Sequence, residues 1–241
     1  MLTDMQHEYE GFSRSVKAVM RQAEKGAMNG VHGPVSALIT TEKRFVTAID
    51  TALGASASSI VVDSTSVGKQ CISYLKRTDG GRATFLPLDT IRANSLRETG
   101  LERQNGCFGT ADALVRFNEK YKNIVCNLLA RTVISENMDT ALALAKAYGH
   151  RFRIVTLDGQ ILQAGGAMTG GSSSRGTGAL ARAERLHAAE ERGAHSSRSE
   201  KRWHRPSRLQ DRNWNRLPRR RRPSKPTAGT RSRREPDLLL R

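Results

Sequence analysis

The nearest approach to a phosphate-binding loop in this sequence is Ser66-Val67-Gly68-Lys69-Gln70. A phosphate cradle needs an earlier glycine where Asp63 stands, and a hydroxyl for magnesium where Gln70 stands. No HExxH or GxSxG pattern occurs. The histidines His7, His32, His150, His187, His195 and His204 are scattered, and Glu8/Glu10 and Glu98/Glu102 sit in polar segments that read as solvated faces. Cys71, Cys107 and Cys126 are widely spaced with no CxxC pair, which suits reduced thiols better than a disulfide or zinc framework. Nothing joins a nucleophile to a base and an orienting group. The expectation is a non-enzyme with no catalytic residue, no cofactor and no metal.

Glycine carries more information. Gly159, Gly166, Gly170 and Gly171 follow the spacing G-x6-G-x3-G-G. Glycine admits backbone angles closed to other residues and lets a second backbone come close. A flexible linker would explain Gly170–Gly178 with its serines, but Gly159 and Gly166 lie in β-prone sequence, which favours close packing at an interface. A second pattern is basic. Arg14, Lys17, Arg21 and Lys25 recur at spacings of 3, 4 and 4, one stripe of a helix. It reads either as a solvated face or as a surface for a polyanion.

These residues need elements to hold them. Leu2, Met5, Tyr9, Phe12, Val16, Val19 and Ala23 alternate at 3 and 4, the seam of a helix packed along another helix or on a globular core. That helix is expected to end near Met28-Asn29-Gly30. Strand-like runs follow at Val35–Ile39, Ile60–Val62, Ala83–Leu86, Thr132–Ser135 and Phe152–Leu157. Between them lie helical periods: Phe45/Ile49/Leu53, Val67/Cys71/Tyr74/Leu75 behind Asp63-Ser64, Phe117/Tyr121/Ile124/Val125/Leu128 behind Asn118, and Ala141/Leu142/Ala145/Tyr148 behind Asn137 or Asp139. The polar stretch Arg92–Asn105 divides two strand–helix groups, so a mixed α/β (α+β) domain of two lobes is expected. FRIVTL-DG-QILQ reads as a hairpin with a two-residue type I′ turn at Asp158-Gly159. No repeat of 20–50 residues is visible.

Charge is uneven. Residues 187–241 hold 17 basic and 6 acidic residues, a net +11, leaving +6 on the first 186. They contain both tryptophans and five of the seven prolines but no Ile, Val, Phe, Tyr, Met or Cys. Such a segment buries too little apolar surface to offset its ordering entropy, so a disordered basic tail is expected. No apolar stretch reaches membrane-spanning length and the N-terminus lacks a secretory pattern, so a cytoplasmic protein without membrane contact is expected.

On EGFSRSVKAVM (Glu10–Met20), TAIDTALG (Thr47–Gly54), GRATFLPLDTI (Gly81–Ile91), ALALAKAYG (Ala141–Gly149) and YGHRFRIVTLDGQILQAGGAMTGGS (Tyr148–Ser172), the chain resembles the hinge domain of bacterial SMC (structural maintenance of chromosomes) proteins. The likeness covers about residues 1–186. It implies residues 1–28 as the end of an incoming coiled-coil helix, 29–172 as the hinge, 173–186 as the start of an outgoing coil, and 187–241 as a tail. It further implies homodimerisation with a second hinge, Gly159, Gly166, Gly170 and Gly171 at the dimer contact, and ATPase heads elsewhere in the parent protein. Weak, sequence-independent DNA binding near the hinge–coil junction would use Arg14, Lys17 and Arg21 with Arg175, Arg182 and Arg185, and would place the protein at the nucleoid. The tail departs from the family: no heptad survives, and Pro206, Pro218, Pro223 and Pro226 exclude a continuous helix. It is a frameshift product or a basic arm built on Arg219–Arg222, and in the second case the chain is a nucleic-acid-binding protein in its own right.

Overall fold

A computed structural model describes residues 11–171 and 178–182. Helix α1 (Arg14–Glu24) precedes β1 (Val31–Pro34), a helical turn α2 (Val35–Leu38), β2 (Ile39–Thr41), α3 (Val46–Leu53), β3 (Ile60–Val62), α4 (Thr65–Arg77) and β4 (Phe85–Pro87). After an irregular connection come β5 (Cys107–Thr110), β6 (Val115–Phe117), α5 (Lys122–Leu129), β7 (Thr132–Ser135), α6 (Met138–Ala147), β8 (Arg153–Thr156), β9 (Ile161–Leu162) and β10 (Met168–Thr169). The strands form a three-stranded sheet β1-β3-β4, a five-stranded sheet β10-β9-β8-β7-β5 and a ribbon β2-β6. Pairings β3/β4 and β7/β8 are parallel; the others are antiparallel.

The two sheets are the two lobes. Strand β3 buries both faces: Ile60 and Val62 join Val16, Val19, Cys71 and Leu75 under α1 and α4, while Val61 turns into a shared central core. In β7 and β8, Val133 and Ile154 pack under α6, and Ile134 and Val155 enter the same central core. Burial on both faces explains why IVV, TVIS and RIVT read as near-continuous β-prone runs. The central core, with Phe45, Ile49, Phe117 and Leu129, belongs to both lobes and joins them.

The chain also repeats itself. The order strand, short helical turn, strand, helix, strand, helix, strand occurs twice, and its first half recurs 76 positions on: Val31/Cys107, Ile39/Val115, Val46/Lys122. The β2-β6 ribbon pairs Ile39 with Phe117, Thr40 with Arg116 and Thr41 with Val115, so equivalent strands of the two halves meet about a local twofold axis.

Several expectations are corrected. Helix α1 begins at Arg14, where the Ser13 hydroxyl accepts from Val16 N; just before it, Gly11 turns the chain with φ +95°. Leu2, Met5 and Tyr9 lie outside the described residues. The helix ends at Glu24 rather than near Met28, because Gly26 (φ +72°) takes the left-handed position, with Gly26 N donating to Ala23 O and Ala27 N to Gln22 O. Val35–Leu38 is a helical turn, since a five-residue apolar run does not by itself separate strand from helix. Phe117 belongs to β6, and Asn118 caps a single 3-10 turn before α5. The Asp158-Gly159 hairpin is present, but Asp158 lacks the positive φ of a type I′ turn. Instead Gly159 N donates to Thr156 O and Thr156 N to Gln160 O, a three-residue loop with Gly159 at φ +86°. Thr156 fixes it: its hydroxyl donates to the Asp158 carboxylate and accepts from Gln160 N.

Candidate functional site

The five-stranded sheet ends at β10, whose partner among the described residues is β9 alone. Met168 on β10 is 63% exposed, the most exposed large apolar side chain of the described residues. Gly165 and Gly166 precede this strand and Gly170 and Gly171 follow it. Gly166 (φ +99°) forms the tight β9–β10 turn: its N–H donates to Gln163 O, and a Cβ there would lie 3.6 Å from His150 Nδ1. Around Gly171 (φ +137°) a Cβ would meet nothing within 4 Å, and at Gly170 only the Gln160 side chain at 3.5 Å. The last two therefore keep an open edge free of side chains. Gly159 works differently. It presses on its own chain, where a Cβ would come 2.9 Å from Thr51 Oγ1 and 3.2 Å from Thr47 Cγ2 on α3. A second edge is open at β4, whose described neighbour is β3 alone.

On α1, Val16, Val19 and Met20 are buried while Arg14 and Arg21 are exposed and Lys17 half-buried. Lys25, just past the helix, is exposed too. Amphipathicity thus fixes the basic stripe on the solvent side. Arg182 approaches from the other end of the described chain: a Cβ at Gly11 would sit 2.7 Å from its Nε. Arg175 and Arg185 lie outside the described residues, as does the tail. The turn at 178–182 is held by Asp50 on α3, whose two carboxylate oxygens accept from Leu180 N (2.7 Å) and Ala181 N (3.0 Å). No local pattern in the sequence marks Asp50 for that role.

The segment Asp63–Gln70 has a different occupation from a phosphate loop. Ser64 caps α4 by accepting from Val67 N, and the Asp89 carboxylate accepts from Thr65 N at 3.1 Å. This backbone bond, with that from the Thr90 hydroxyl, holds the Asp89 carboxyl below its ordinary range. One constellation was invisible in the sequence because its members are far apart. His32 Nε2 lies 2.6 Å from Asp63 Oδ1, and Lys120 Nζ 3.3 Å from His32 Nδ1. An ammonium can only donate, so Nδ1 accepts and Nε2–H donates to Asp63. The bridge ties β1 of the first half to the turn before α5 of the second. Among the described residues no group of three or more His, Cys, Asp or Glu could hold a metal ion, and no helix is long and apolar enough to cross a membrane.

Comparison with known proteins gives a consistent picture. Residues 28–145 match the family model described as the SMC proteins flexible hinge domain. The chain is 42% identical over 183 residues to the chromosome partition protein Smc of Bacillus subtilis (strain 168), covering 75% of this chain and 15% of that protein. It is 36% identical over 176 residues to the protein of that name from Clostridium kluyveri, again 15% of its length. The chain therefore spans about 15% of these relatives. Among solved structures, the asymmetric dimer of the Geobacillus stearothermophilus SMC hinge domain superposes with a TM-score of 0.71 at 39% identity, covering 79% of this chain and 77% of that one. The Pyrococcus furiosus SMC hinge domain gives 0.53 at 29% identity, covering 68% of this chain and 91% of that one.

Proposed function

The chain belongs to the family of SMC flexible hinge domains, and on that premise we propose that it is the non-catalytic homodimerisation module of a chromosome partition protein. The observation that carries this reading is the bare β10 edge, with Met168 exposed and Gly166, Gly170 and Gly171 around it. An unpaired strand edge is a template for another strand, and pairing across an interface requires that side chains not hold the backbones apart. The hinge of Geobacillus stearothermophilus is described as a dimer, which supports the same reading here. The open β4 edge supplies a second surface, and contact of β10 in one copy with β4 in the other would occur twice about one axis and close the assembly. ATP chemistry in this reading belongs to parts of such proteins beyond this chain.

Light scattering tests the proposal. The chain is expected to run as a dimer, and Gly166→Glu with Gly170→Glu as a folded monomer, because charge and bulk enter the edge contact. An unchanged dimer mass with an unchanged circular dichroism spectrum would remove the interface from β10.

A second reading adds weak DNA binding without base readout through Arg14, Lys17 and Arg21, with Arg182 near the same end of the domain and Arg175 and Arg185 as further candidates. The exposed basic side of α1 supports it, and a nucleoid location follows from it. If the Arg-rich tail alone binds nucleic acid, deleting 187–241 abolishes binding while the α1 stripe is intact. A heptad-rich continuation in another frame of the coding DNA would assign the tail to a frameshift.

A further inference from the structure

The sequence contains two Asn-Gly pairs, Asn29-Gly30 and Asn105-Gly106, and they stand 76 positions apart, at equivalent places of the two halves. Each forms a turn that leads into the first strand of its half, β1 at Val31 and β5 at Cys107. Both asparagines are exposed, and neither side chain makes a hydrogen bond among the described residues. Other asparagines are occupied: Asn118 and Asn137 accept from Lys120 N and Thr140 N, and Asn127 donates to Arg92 O. The two glycines lie in the left-handed region, at φ +83° and +72°, and their N–H groups donate to nothing among the described residues. Their carbonyls, by contrast, are clamped. Gly30 O accepts from Asp63 N just past β3, and Gly106 O from Glu136 N just past β7, both at 2.8 Å. A carboxylate also faces each glycine. A Cβ at Gly30 would come 2.8 Å from Asp63 Oδ2, and one at Gly106 would come 3.3 Å from Glu136 Oε2.

A free asparagine amide beside a free glycine N–H is an electrophile beside a nucleophile. Glycine has no side chain to shield its nitrogen or to resist the rotation that carries it onto the neighbouring amide carbon. We propose that Asn29 and Asn105 are twin modification sites, where the chain deamidates without an enzyme and thereby loosens the clamp beneath each turn. Hydroxide removes the glycine N–H proton, and the nitrogen attacks Asn Cγ. The Cγ–Nδ2 bond breaks and ammonia leaves, taking a proton back from the water just formed, so that a five-membered succinimide closes. One water then adds to the ring. Breaking the new Cγ–N bond gives aspartate, and breaking the original peptide bond gives isoaspartate, whose main chain is one methylene longer. Either product sets a carboxylate one residue from a glycine that already faces one, and like charges repel. The longer chain also shifts the glycine carbonyl away from Asp63 N or Glu136 N. The first event loosens β1 from β3, the second β5 from β7. Neither turn lies on β4 or β10, so the inference stands apart from the dimerisation reading.

The test is storage of the full chain at neutral pH, then proteolysis and mass spectrometry, with an isoaspartyl methyltransferase to count the isoaspartate. Conversion at Asn29 and Asn105 is expected to outpace that at Asn118, Asn127 and Asn137 by about tenfold or more. A parallel sample in urea gives the rates of the unfolded chain. Both turns should convert nearly as fast folded as unfolded, whereas folding should protect the capping residues Asn118 and Asn137. Hydrogen exchange reads the consequence. The Asp63 amide should exchange faster in the aged chain than in the fresh one, and stay slow in aged Asn29→Gln, whose longer side chain closes an imide ring poorly. Glu136 should behave likewise with Asn105→Gln. Conversion at the turns no faster than at the capping asparagines would overturn the proposal. So would conversion that leaves exchange at Asp63 and Glu136 unchanged.

Discussion

Asp50 serves as a helix cap across 130 residues of chain. Both of its oxygens are engaged by the backbone that begins the 178–182 turn, and a Cβ at Gly178 would overlap the carboxylate. Asp50→Ala is expected to lower stability by about 1–2 kcal/mol, the range of a lost N-terminal cap, and Asp50→Asn by less. The midpoint in urea should fall without a change in slope. Cys126 offers a pH-dependent test. Burial, and then the Asp112 carboxylate 3.6 Å from its sulfur, push its thiol from 9.0 up to about 11. Folding therefore holds this proton more tightly than the unfolded chain does. The associated stability is complete below about pH 9 and is lost as pH rises toward 11. Alkylation of Cys126 should stay slow at pH 8 and accelerate toward pH 11, with Cys126→Ser as the control. Ser64, Asn118 and Asn137 were legible as caps because a capping side chain lies two or three residues from the amide it serves. Asp50, and the Asp63–His32–Lys120 bridge, were not legible because the fold brings their partners together from distant segments.

Among the elements, the β8–β9 hairpin rests on one glycine. Gly159→Ala places a Cβ at φ +86° and 2.9 Å from Thr51 Oγ1, so a loss of about 1 kcal/mol or more is expected. Thr51→Ala removes the nearer obstacle, although its hydroxyl now donates to Thr47 O within α3. The double variant should recover part of the loss but not the cost of the backbone angle. A double-mutant cycle by thermal unfolding measures that coupling. Strands buried on both faces, β3, β7 and β8, were readable from their β-prone runs. Strands β2, β6 and β10 were not: each has two or three residues, too few for an alternation, and β2 and β6 exist because the two halves pair with each other. The glycine spacing pointed to the segment around β10 as a candidate contact but not to a strand there. The parting of Gly159 from the other three was not legible, because it depends on α3 lying beneath the hairpin.

For the molecule as a whole, internal duplication explains how one chain presents two sheets around a single shared core. It is hard to read from sequence because its spacing exceeds that of the usual short repeats and because one short motif carries it, Asn29-Gly30/Asn105-Gly106 with Gly33/Gly109 and Ala37-Leu38/Ala113-Leu114. The charge reading belongs at this scale. Replacing Arg14, Lys17 and Arg21 by Glu in a chain lacking 187–241 should abolish DNA retention while leaving the dimer intact, and retention by the parent should fall steeply as salt rises. Equal binding by the triple variant would reduce the stripe to a solvated face. No tight ATP binding is expected of this chain, because Asp63–Gln70 lacks the glycine cradle and the magnesium-binding hydroxyl, and a micromolar ATP site found by calorimetry would contradict that.

The contact of Arg182 with Gly11 brings the first and last described residues within the reach of one side chain. A body whose entrance and exit touch is topologically a side branch: the chain leaves its course, folds, and returns to the point of departure. Whatever carries this domain can gain or lose it at one position without resetting the spacing of the segments on either side. Grafted between the two strands of an unrelated hairpin, residues 11–182 should leave the host fold undisturbed. To its flanks, the whole domain has the span of a turn.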